Sequence, residues 1–182
     1  MIHFGEEGRR AERAGYQPIR LYAPVARCLI ATPRSIDGVD PVVRTTIQEL
    51  CRGLAPWPLY LWGPTGLGKT LAALCLLDRV ACGRYWTVPD LLDGLMDDRP
   101  VWADVDGADM AVLDEVGVGR PTDFASESIW RFLEHRERSR NCVCVIISNH
   151  APTKFAAIFD NRIASRALSG TIVEVTGNDR RF

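Results

Sequence analysis

Residues 59–77 read LYLWGPTGLGKTLAALCLL, and this stretch decides the fold of the chain. An apolar run of four residues enters a glycine-rich turn, which leads directly into a second apolar run of helical length. The turn matches the pattern G-x-x-x-x-G-K-[ST], which is meaningful only where a strand precedes it and a helix follows it. Both elements are predicted here, so the pattern indicates a phosphate-binding loop rather than an ordinary glycine-rich turn. The loop consists of Gly63, Pro64, Thr65, Gly66, Leu67, Gly68, Lys69 and Thr70.

The loop residues also predict the chemistry of the site. Gly63, Gly66 and Gly68 allow positive φ angles, so backbone N–H groups can turn toward phosphate oxygens at the N-terminus of the following helix. Lys69 can reach the β- and γ-phosphates of a nucleotide, and the Thr70 hydroxyl can ligate the Mg²⁺ that accompanies it. Because the sequence contains no N-K-x-D motif for guanine, the expected ligands are ATP and Mg²⁺.

Length and composition predict one soluble globular domain. The chain has 182 residues, of which 47% are hydrophobic and 25% are charged. No apolar run approaches the roughly 18 residues of a membrane span, and residues 1–15 are polar rather than signal-like, so the protein is expected in the cytoplasm. The net charge of −1 argues against coating nucleic acid by bulk charge, although local basic patches remain possible.

Six cysteines are scattered along the chain, without C-x-x-C spacing and without zinc-ligand spacing to the three histidines. We therefore expect buried thiols rather than a redox pair or a metal site. The cysteines are Cys28, Cys51, Cys75, Cys82, Cys142 and Cys144.

Two regions are predicted, an N-terminal arm over residues 1–39 and an α/β core over residues 40–182. Glycines and prolines interrupt any periodic pattern in the arm. Arg9, Arg10 and Arg13 form a short basic run there, which either faces solvent or docks a partner.

The core alternates strands and helices, which predicts right-handed crossovers and a parallel sheet covered by helices on both faces. The continuous apolar runs 110–113 and 143–147 are typical of strands buried on both faces of such a sheet. Asp40, followed by a proline, is expected to cap the first helix. The predicted strands are 59–62, 84–88, 110–113, 143–147 and 171–175, and the predicted helices are 40–53, 69–82, 90–98, 122–138, 152–159 and 160–168.

Polar residues follow two of the buried strands, at the edge where ligands bind to open parallel sheets. Asp114 and Glu115 end the third strand. Asp114 is expected to hold hydrated Mg²⁺, and Glu115 is expected to act as general base toward the attacking water. Ser148 and Asn149 end the fourth strand, where a polar side chain either contacts the γ-phosphate or caps the next helix.

Four segments together resemble the AAA+ ATPases, and most closely the DnaC-type helicase loaders and the IstB-type transposition helper ATPases. The first two segments are common to many P-loop proteins, whereas the SN strand end and the R-x-x-x-R helix narrow the resemblance to this group. The resemblance extends from about residue 36 to the C-terminus. The segments are GPTGLGKT at 63–70, MAVLDE at 110–115, VIISNH at 145–150 and NRIASRALSG at 161–170.

The resemblance implies an AAA+ three-layer P-loop fold and Mg²⁺-dependent ATP hydrolysis. Asn149 would be the first sensor, and Arg166, with Arg162 as second candidate, would be the arginine finger that reaches the γ-phosphate held by a neighbouring subunit. The resemblance also implies homo-oligomers on DNA, expected to be single-stranded, and a helicase or a transposase as protein partner. By spacing alone, the two arginines share a helix face and also fit an ordinary surface pair.

Two departures from this group are expected. The loaders carry a separate N-terminal partner-binding domain, whereas only the short arm is expected before this core. The chain ends within ten residues of its last predicted strand, so no C-terminal helical lid is expected, as in the DnaC-like group. Arg180 and Arg181 are expected either as a second phosphate sensor or as part of a solvated tail.

Other functions are compatible with the same loop. One is a nucleotide-gated binding switch with negligible hydrolysis. Another is a small-molecule kinase, which has no need for the water-activating base expected at Glu115.

A basic group in and after the helix 122–138 is expected either to contact DNA phosphates or to face solvent. It comprises Arg131, Arg136, Arg138 and Arg140.

Overall fold

The computed structural model describes residues 20–21, 39–77, 80, 82–138 and 143–177. Most of the expected arm and the expected tail arginines Arg180 and Arg181 lie outside the described residues, as do Cys28, Arg140 and Cys142. The strands are β1 (Arg20–Leu21), β2 (Leu59–Trp62), β3 (Gly83–Thr87), β4 (Met110–Val116), β5 (Cys144–Ser148) and β6 (Thr171–Glu174). The helices are α1 (Pro41–Cys51), α2 (Lys69–Leu77), α3 (Val88–Met96), α4 (Val101–Asp106), α5 (Asp123–Arg138), α6 (Pro152–Ile158) and α7 (Asn161–Ala167).

The strands form one parallel sheet in the order β1-β3-β4-β5-β2-β6. The predicted α/β fold with a five-stranded parallel sheet is confirmed, and the two-residue β1 extends that sheet beside β3. The sequence does not predict β1, because two residues are too few to show any periodicity. β5 lies between β2 and β4, so the strand that precedes the loop is close to both predicted polar strand ends.

Helices cover both faces of the sheet, since successive side chains of each strand point to opposite sides. Leu59 and Leu61 of β2 pack in a core with α1 and α2, whereas Tyr60 packs in a second core with α3 to α7. Burying each such aliphatic side chain stabilises the fold by about 1.5–3 kcal/mol. A shift of register by one residue would move all of them to the wrong face. Packing therefore fixes where β2 ends and where the loop begins.

Most element boundaries differ from the predicted ones by one or two residues, and those of β4 and α2 differ by more. β4 continues to Val116 instead of ending at residue 113, because its pairing with neighbouring strands runs on past the apolar segment. α2 ends at Leu77, and α4 does not follow from the sequence because six residues contain less than two turns of periodicity. Asp40 is the N-cap of α1, as predicted, and its carboxylate accepts the Val42 N–H at 2.9 Å.

One member of the predicted basic group is buried. Arg136 in α5 is 1% exposed, so the expectation that it contacts DNA or faces solvent is wrong. Its planar guanidinium group offers several donors in fixed directions, which suits a cluster of carbonyl oxygens. It therefore ties α5 to the connection between α4 and β4 and to the start of β5. The acceptors are the backbone carbonyl groups of Val105, Ala108, Asp109 and Val143, at 2.8–3.5 Å.

Two of the four described cysteines, Cys75 and Cys144, are buried as expected. Cys51 and Cys82 are only half-buried, so the expectation of a buried thiol is wrong for these two. Cys51 is the last residue of α1, and Cys82 lies in the connection before β3, where packing is less complete.

Among the helices of the described residues, none combines the length and the apolarity that crossing a membrane requires.

Candidate functional site

The loop 63–70 joins β2 to α2 at the carboxyl edge of the sheet. Gly63, Gly66 and Gly68 have φ angles of 143°, 88° and 88°, so the positive φ predicted for all three is confirmed. Leu67 is buried in the core that contains α1 and α2, whereas the two residues after Gly63 are exposed. The loop is therefore anchored near its centre while its first turn faces solvent.

Gly63 is required by a close backbone approach as well as by its φ angle. A Cβ atom here would lie 2.3 Å from the carbonyl oxygen of Val175. The Val175 N–H also donates to the Trp62 carbonyl at 2.7 Å, which holds the chain after β6 against the end of β2. Any side chain at position 63 would force these segments apart and displace the start of the loop.

Lys69 closes the loop from within. Its ammonium group donates to the carbonyl oxygens of Gly63 and Pro64, each at 2.7 Å. The residue is 6% exposed, and a buried ammonium group needs such partners because desolvating an unpaired charge is costly. These contacts place a cation between the glycine-rich turn and the first turn of α2.

Asp114 lies inside the fold and accepts three hydrogen bonds. Its Oδ2 atom accepts from the Thr70 hydroxyl at 2.6 Å and from the Tyr85 hydroxyl at 2.8 Å. Its Oδ1 atom accepts from the Glu115 N–H at 2.6 Å, and only 4% of the residue is exposed. The bond from Thr70 links the first turn of α2 to β4, so the two predicted Mg²⁺ ligands are in contact.

The two acidic residues of β4 sit on a β-bulge, which the sequence does not predict. The pairing of β4 with β5 shifts between Leu113 and Val116, so Asp114 and Glu115 together stand opposite Ile147. Glu115 has a φ of 61°, an uncommon conformation for a residue with a side chain. Bulges re-aim side chains and are over-represented next to active sites. Here the bulge lets two consecutive carboxylates enter different surroundings.

Glu115 differs from Asp114 in being exposed. It borders a cavity of about 340 Å³ between α3, α5 and the loop after β4. Partial burial, and then the negative charges of Asp114 and Asp90, raise the pKa of the Glu115 carboxyl group. A raised pKa makes a carboxylate a stronger base, so the two environments suit two roles. The buried acid is suited to holding a cation, and the exposed acid is suited to accepting a proton.

Ser148 supports the backbone that follows the bulge. It is buried, its hydroxyl donates to the Val116 carbonyl at 2.7 Å, and its oxygen accepts the His150 N–H at 3.2 Å. The alternative that Ser148 or Asn149 caps the next helix is wrong, since Ala151 is the N-cap of α6 and no side chain caps that helix. Ser148 therefore has a structural role within β4 and β5.

Asn149 is exposed at the carboxyl edge of the sheet. Because Trp62 of β2 pairs with Ser148 of β5, Asn149 leaves β5 at the level where Gly63 leaves β2. β5 lies between β2 and β4, so Asn149 occupies the strand end between the loop and the acidic pair. This position is compatible with the predicted sensor role.

Arg162 and Arg166 lie in the first and last turns of α7, and both form contacts within the chain. Arg162 pairs with Asp160 at 2.9 Å, and its guanidinium group lies 5.4 Å from the centre of the Trp130 ring. Arg166 Nε donates to Glu137 Oε2 at 2.8 Å. The two side chains are therefore held on the outer surface of the α5–α7 layer.

Arg166 lies at the amino-terminal end of the strands, opposite the end at which the loop begins. It borders a small cavity together with Pro58, which precedes β2, and Cys144, the first residue of β5. From Pro58 to Gly63 the strand advances by roughly 16 Å, at about 3.3 Å per residue. An arginine that pairs with Glu137 at this edge is far from the loop of its own chain.

The exposed members of the predicted basic group have separate surroundings. The guanidinium group of Arg131 lies 5.0 Å from the centre of the Trp102 ring, and Arg138 pairs with Glu134 at 2.8 Å. Since Arg136 is buried between them, the described members of this group do not form one continuous basic surface. A DNA contact through Arg131 and Arg138 stays a prediction.

Neither a protein-family model nor a curated protein matches the chain, whereas solved structures do. A crystal structure of the DnaC helicase loader gives a TM-score of 0.66 and 19% identity, over 79% of this chain and 97% of that one. A crystal structure of DnaI gives 0.65 and 20%, over 83% and 95%. A replication initiator, DnaA bound to AMPPCP and single-stranded DNA, gives 0.68 and 15%, over 80% and 50%.

These likenesses show the fold. A parallel sheet of five main strands with flanking helices is the architecture of the AAA+ P-loop domains of DnaC and DnaA. The chain spans about half the length of two of the initiator structures that it matches. At 15–20% identity, the similarity is one of architecture.

Proposed function

We propose that the chain binds ATP with Mg²⁺ at the loop 63–70 and hydrolyses it as an AAA+ protein that acts on DNA. The observation that carries this proposal is the 2.6 Å hydrogen bond from Thr70 Oγ1 to Asp114 Oδ2. It joins the last residue of the loop to the buried acid of β4, although the two are 44 residues apart in sequence. Mg²⁺ prefers oxygen ligands of these kinds, so the residues present fit the ion.

Each residue of the site has a role that its surroundings support. The glycine-rich turn and the N-terminus of α2 would receive the phosphates, and Lys69 would exchange its two bonds to loop carbonyls for bonds to phosphate oxygens. Thr70 and Asp114 would hold Mg²⁺, which when bound neutralises charge on the phosphates. Glu115 would accept a proton from the attacking water, and Asn149 would contact the γ-phosphate or orient that water.

Arg166 would act on the nucleotide of a neighbouring subunit. Its place at the amino-terminal end of the strands supports this assignment. A side-chain rotation cannot cover the length of β2, so Arg166 cannot reach the loop of its own subunit. Arg162, one turn earlier on α7, is the second candidate. The proposal therefore includes a homo-oligomer in which α7 of one subunit faces the loop of the next.

DNA and a protein partner belong to the same proposal. The similar structures include a helicase loader and an initiator bound to single-stranded DNA. By that analogy, we assign single-stranded DNA as the nucleic acid and a replication helicase as the protein partner. A transposase is the alternative partner that the IstB-type resemblance suggests.

Steady-state ATP turnover tests this proposal. Turnover per subunit is expected to rise steeply with protein concentration, and further when single-stranded DNA is added, because both bring Arg166 of one subunit to the loop of another. Phosphate release is measured at saturating Mg²⁺ and ATP across a wide dilution series. Double-stranded DNA of the same sequence is the control for a general effect of polyanions.

Two outcomes would contradict parts of the proposal. Tight ATP binding with background turnover, with and without DNA, would replace hydrolysis by a nucleotide-gated binding switch. Appreciable turnover per subunit that stays constant across the dilution series would show that each subunit has a complete site. That result would exclude an arginine supplied by a neighbouring subunit.

A further inference from the structure

A second side chain besides Thr70 holds the buried acid of β4. Tyr85 lies on β3, the neighbour of β4, and its hydroxyl donates to Asp114 Oδ2 at 2.8 Å. The same oxygen accepts from Thr70, and Oδ1 accepts from the Glu115 N–H. Donors therefore contact both carboxylate oxygens and fix the orientation of the carboxylate plane.

Tyr85 is part of the core rather than a nearby surface residue. It is 3% exposed and packs in the core that contains α1 and α2. A tyrosine hydroxyl ordinarily has a pKa of about 10, so it carries its proton at neutral pH and can donate it to the carboxylate.

We propose that Tyr85 is a positioning residue that sets the affinity of the Thr70–Asp114 pair for Mg²⁺. This inference rests on the nucleotide site proposed above, and it adds a residue that the loop and strand motifs do not contain. Mg²⁺ demands near-ideal octahedral geometry, so a carboxylate that is free to turn binds it less well. Removing an outer-shell partner of a metal-binding group typically lowers metal affinity 10–100-fold.

Thr70 does not replace Tyr85 as a fixed donor to Asp114 Oδ2. A threonine hydroxyl has one proton, which it gives to Asp114 Oδ2, and its lone pairs remain for an ion. Without Tyr85, Oδ2 would keep only a donor that is itself an expected Mg²⁺ ligand, so this oxygen and the Thr70 hydroxyl would be able to shift together while Oδ1 stays bonded to the Glu115 N–H. Tyr85 is the donor to Oδ2 that comes from outside the Thr70–Asp114 pair.

The test is a Mg²⁺ titration of nucleotide binding by a Tyr85→Phe protein, which lacks the hydroxyl and keeps the ring. Equilibrium binding of a fluorescent, non-hydrolysable ATP analogue is measured from an EDTA baseline upward in Mg²⁺. The variant is expected to need about 10-fold more Mg²⁺ than the wild type for half-maximal binding. Its binding in EDTA is expected to equal that of the wild type, because the loop itself is unchanged.

Tyr60→Phe is the matched control. Tyr60 is also buried, at 0% exposure, and its hydroxyl donates to the His150 carbonyl at 2.9 Å. This variant loses the same group from the interior without touching Asp114. Its Mg²⁺ curve is therefore expected to coincide with that of the wild type.

A double variant separates positioning from general loosening of the core. In an Asp114→Asn background, Tyr85→Phe is expected to change the Mg²⁺ requirement no further, because Tyr85 acts through Asp114. Coincident curves for wild type and Tyr85→Phe would overturn the inference, and so would an equal shift in Tyr60→Phe or an undiminished shift in the double variant. A wild-type protein that does not bind the analogue would instead overturn the proposed nucleotide site, and one whose analogue binding ignores Mg²⁺ would overturn the proposed ion site at Thr70 and Asp114.

Discussion

ATP turnover by an Arg166→Ala protein is expected to fall about 10³- to 10⁵-fold, while its affinity for ATP stays that of the wild type. This loss corresponds to roughly 4–7 kcal/mol of barrier. Arg166 lies at the opposite edge of the sheet from its own loop and pairs there with Glu137 at 2.8 Å. A surface pair of this kind is worth about 0–1 kcal/mol, so giving it up on assembly is a small cost beside the catalytic effect.

Mixing two inactive proteins distinguishes an arginine that acts on a neighbour from one that acts within its own subunit. Arg166→Ala protein keeps its loop, and Lys69→Ala protein keeps its arginine, so the mixed interface that joins them contains one complete site. Phosphate release from the mixture is expected to exceed the sum of the two separate rates. Absence of any such rescue would contradict an arginine supplied by the neighbour.

Arg138→Ala provides the matched control for this experiment. Arg138 is also an exposed arginine that pairs with a glutamate, Glu134, at 2.8 Å, but it lies on α5 rather than α7. Without DNA, its turnover is expected to equal that of the wild type. An equal loss in the Arg138 and Arg166 variants would show that removing any exposed ion pair disturbs the assembly.

A Glu115→Gln protein is expected to bind ATP as the wild type does and to turn it over about 10²- to 10⁴-fold more slowly. The amide retains the size of the side chain but has no basic oxygen to accept a proton. The exposed position of Glu115 beside the buried, hydrogen-bonded Asp114 is the basis of this assignment. The same change should stabilise the ATP-bound assembly and any complex with a partner.

The pH dependence of turnover gives a second readout of the same prediction. Turnover requires the deprotonated carboxylate, and partial burial, followed by the negative charges of Asp114 and Asp90, raises the pKa of Glu115. Wild-type turnover should therefore decline as pH falls through that raised pKa, at a higher pH than an ordinary glutamate would show. Asp93→Asn, which changes another acid bordering the same cavity, should keep wild-type turnover. A Glu115→Gln protein with wild-type turnover would exclude Glu115 as the base.

The order and type of most elements could be predicted because strands and helices leave different apolar patterns in this sequence. β4 and β5 are continuous apolar runs, which only a sheet covered on both faces buries efficiently. α5 carries a clear helical stripe, of which Ile129, Phe132 and Leu133 are buried. α4 and β1 could not be predicted, because six and two residues are too short to show a period.

The placement of the loop residues and of the acids at the strand end could be predicted because it depends on consecutive residues in a fixed local context. Tyr85 could not, since only the pairing of β3 with β4 brings it to Asp114. The bulge at Glu115 likewise depends on the pairing of β4 with β5, which are neighbours in the sheet but far apart in sequence. Contacts of this kind leave no local pattern in one sequence.

Arg136 illustrates why sequence alone predicts the wrong burial for some charged residues. Its spacing in α5 puts it near Arg131 and Arg138 in sequence, yet it is buried among four backbone carbonyl groups. Sequence alone predicts that an arginine is exposed, because burial of a charge is usually costly. The carbonyl acceptors that offset this cost come from segments that only the fold brings together.

Equilibrium binding of ATP to wild-type and Lys69→Ala proteins tests most directly whether the loop 63–70 holds the nucleotide. Lys69 contributes a cation to the turn at Gly63 and Pro64 and little apolar surface to the core. A hydrogen bond to a charged group is worth about 1.5–3 kcal/mol, so losing this cation should weaken ATP binding by roughly 10- to 100-fold or more. We expect that loss together with an unchanged circular dichroism spectrum. Wild-type ATP affinity in a folded Lys69→Ala protein would show that the loop is not where ATP binds.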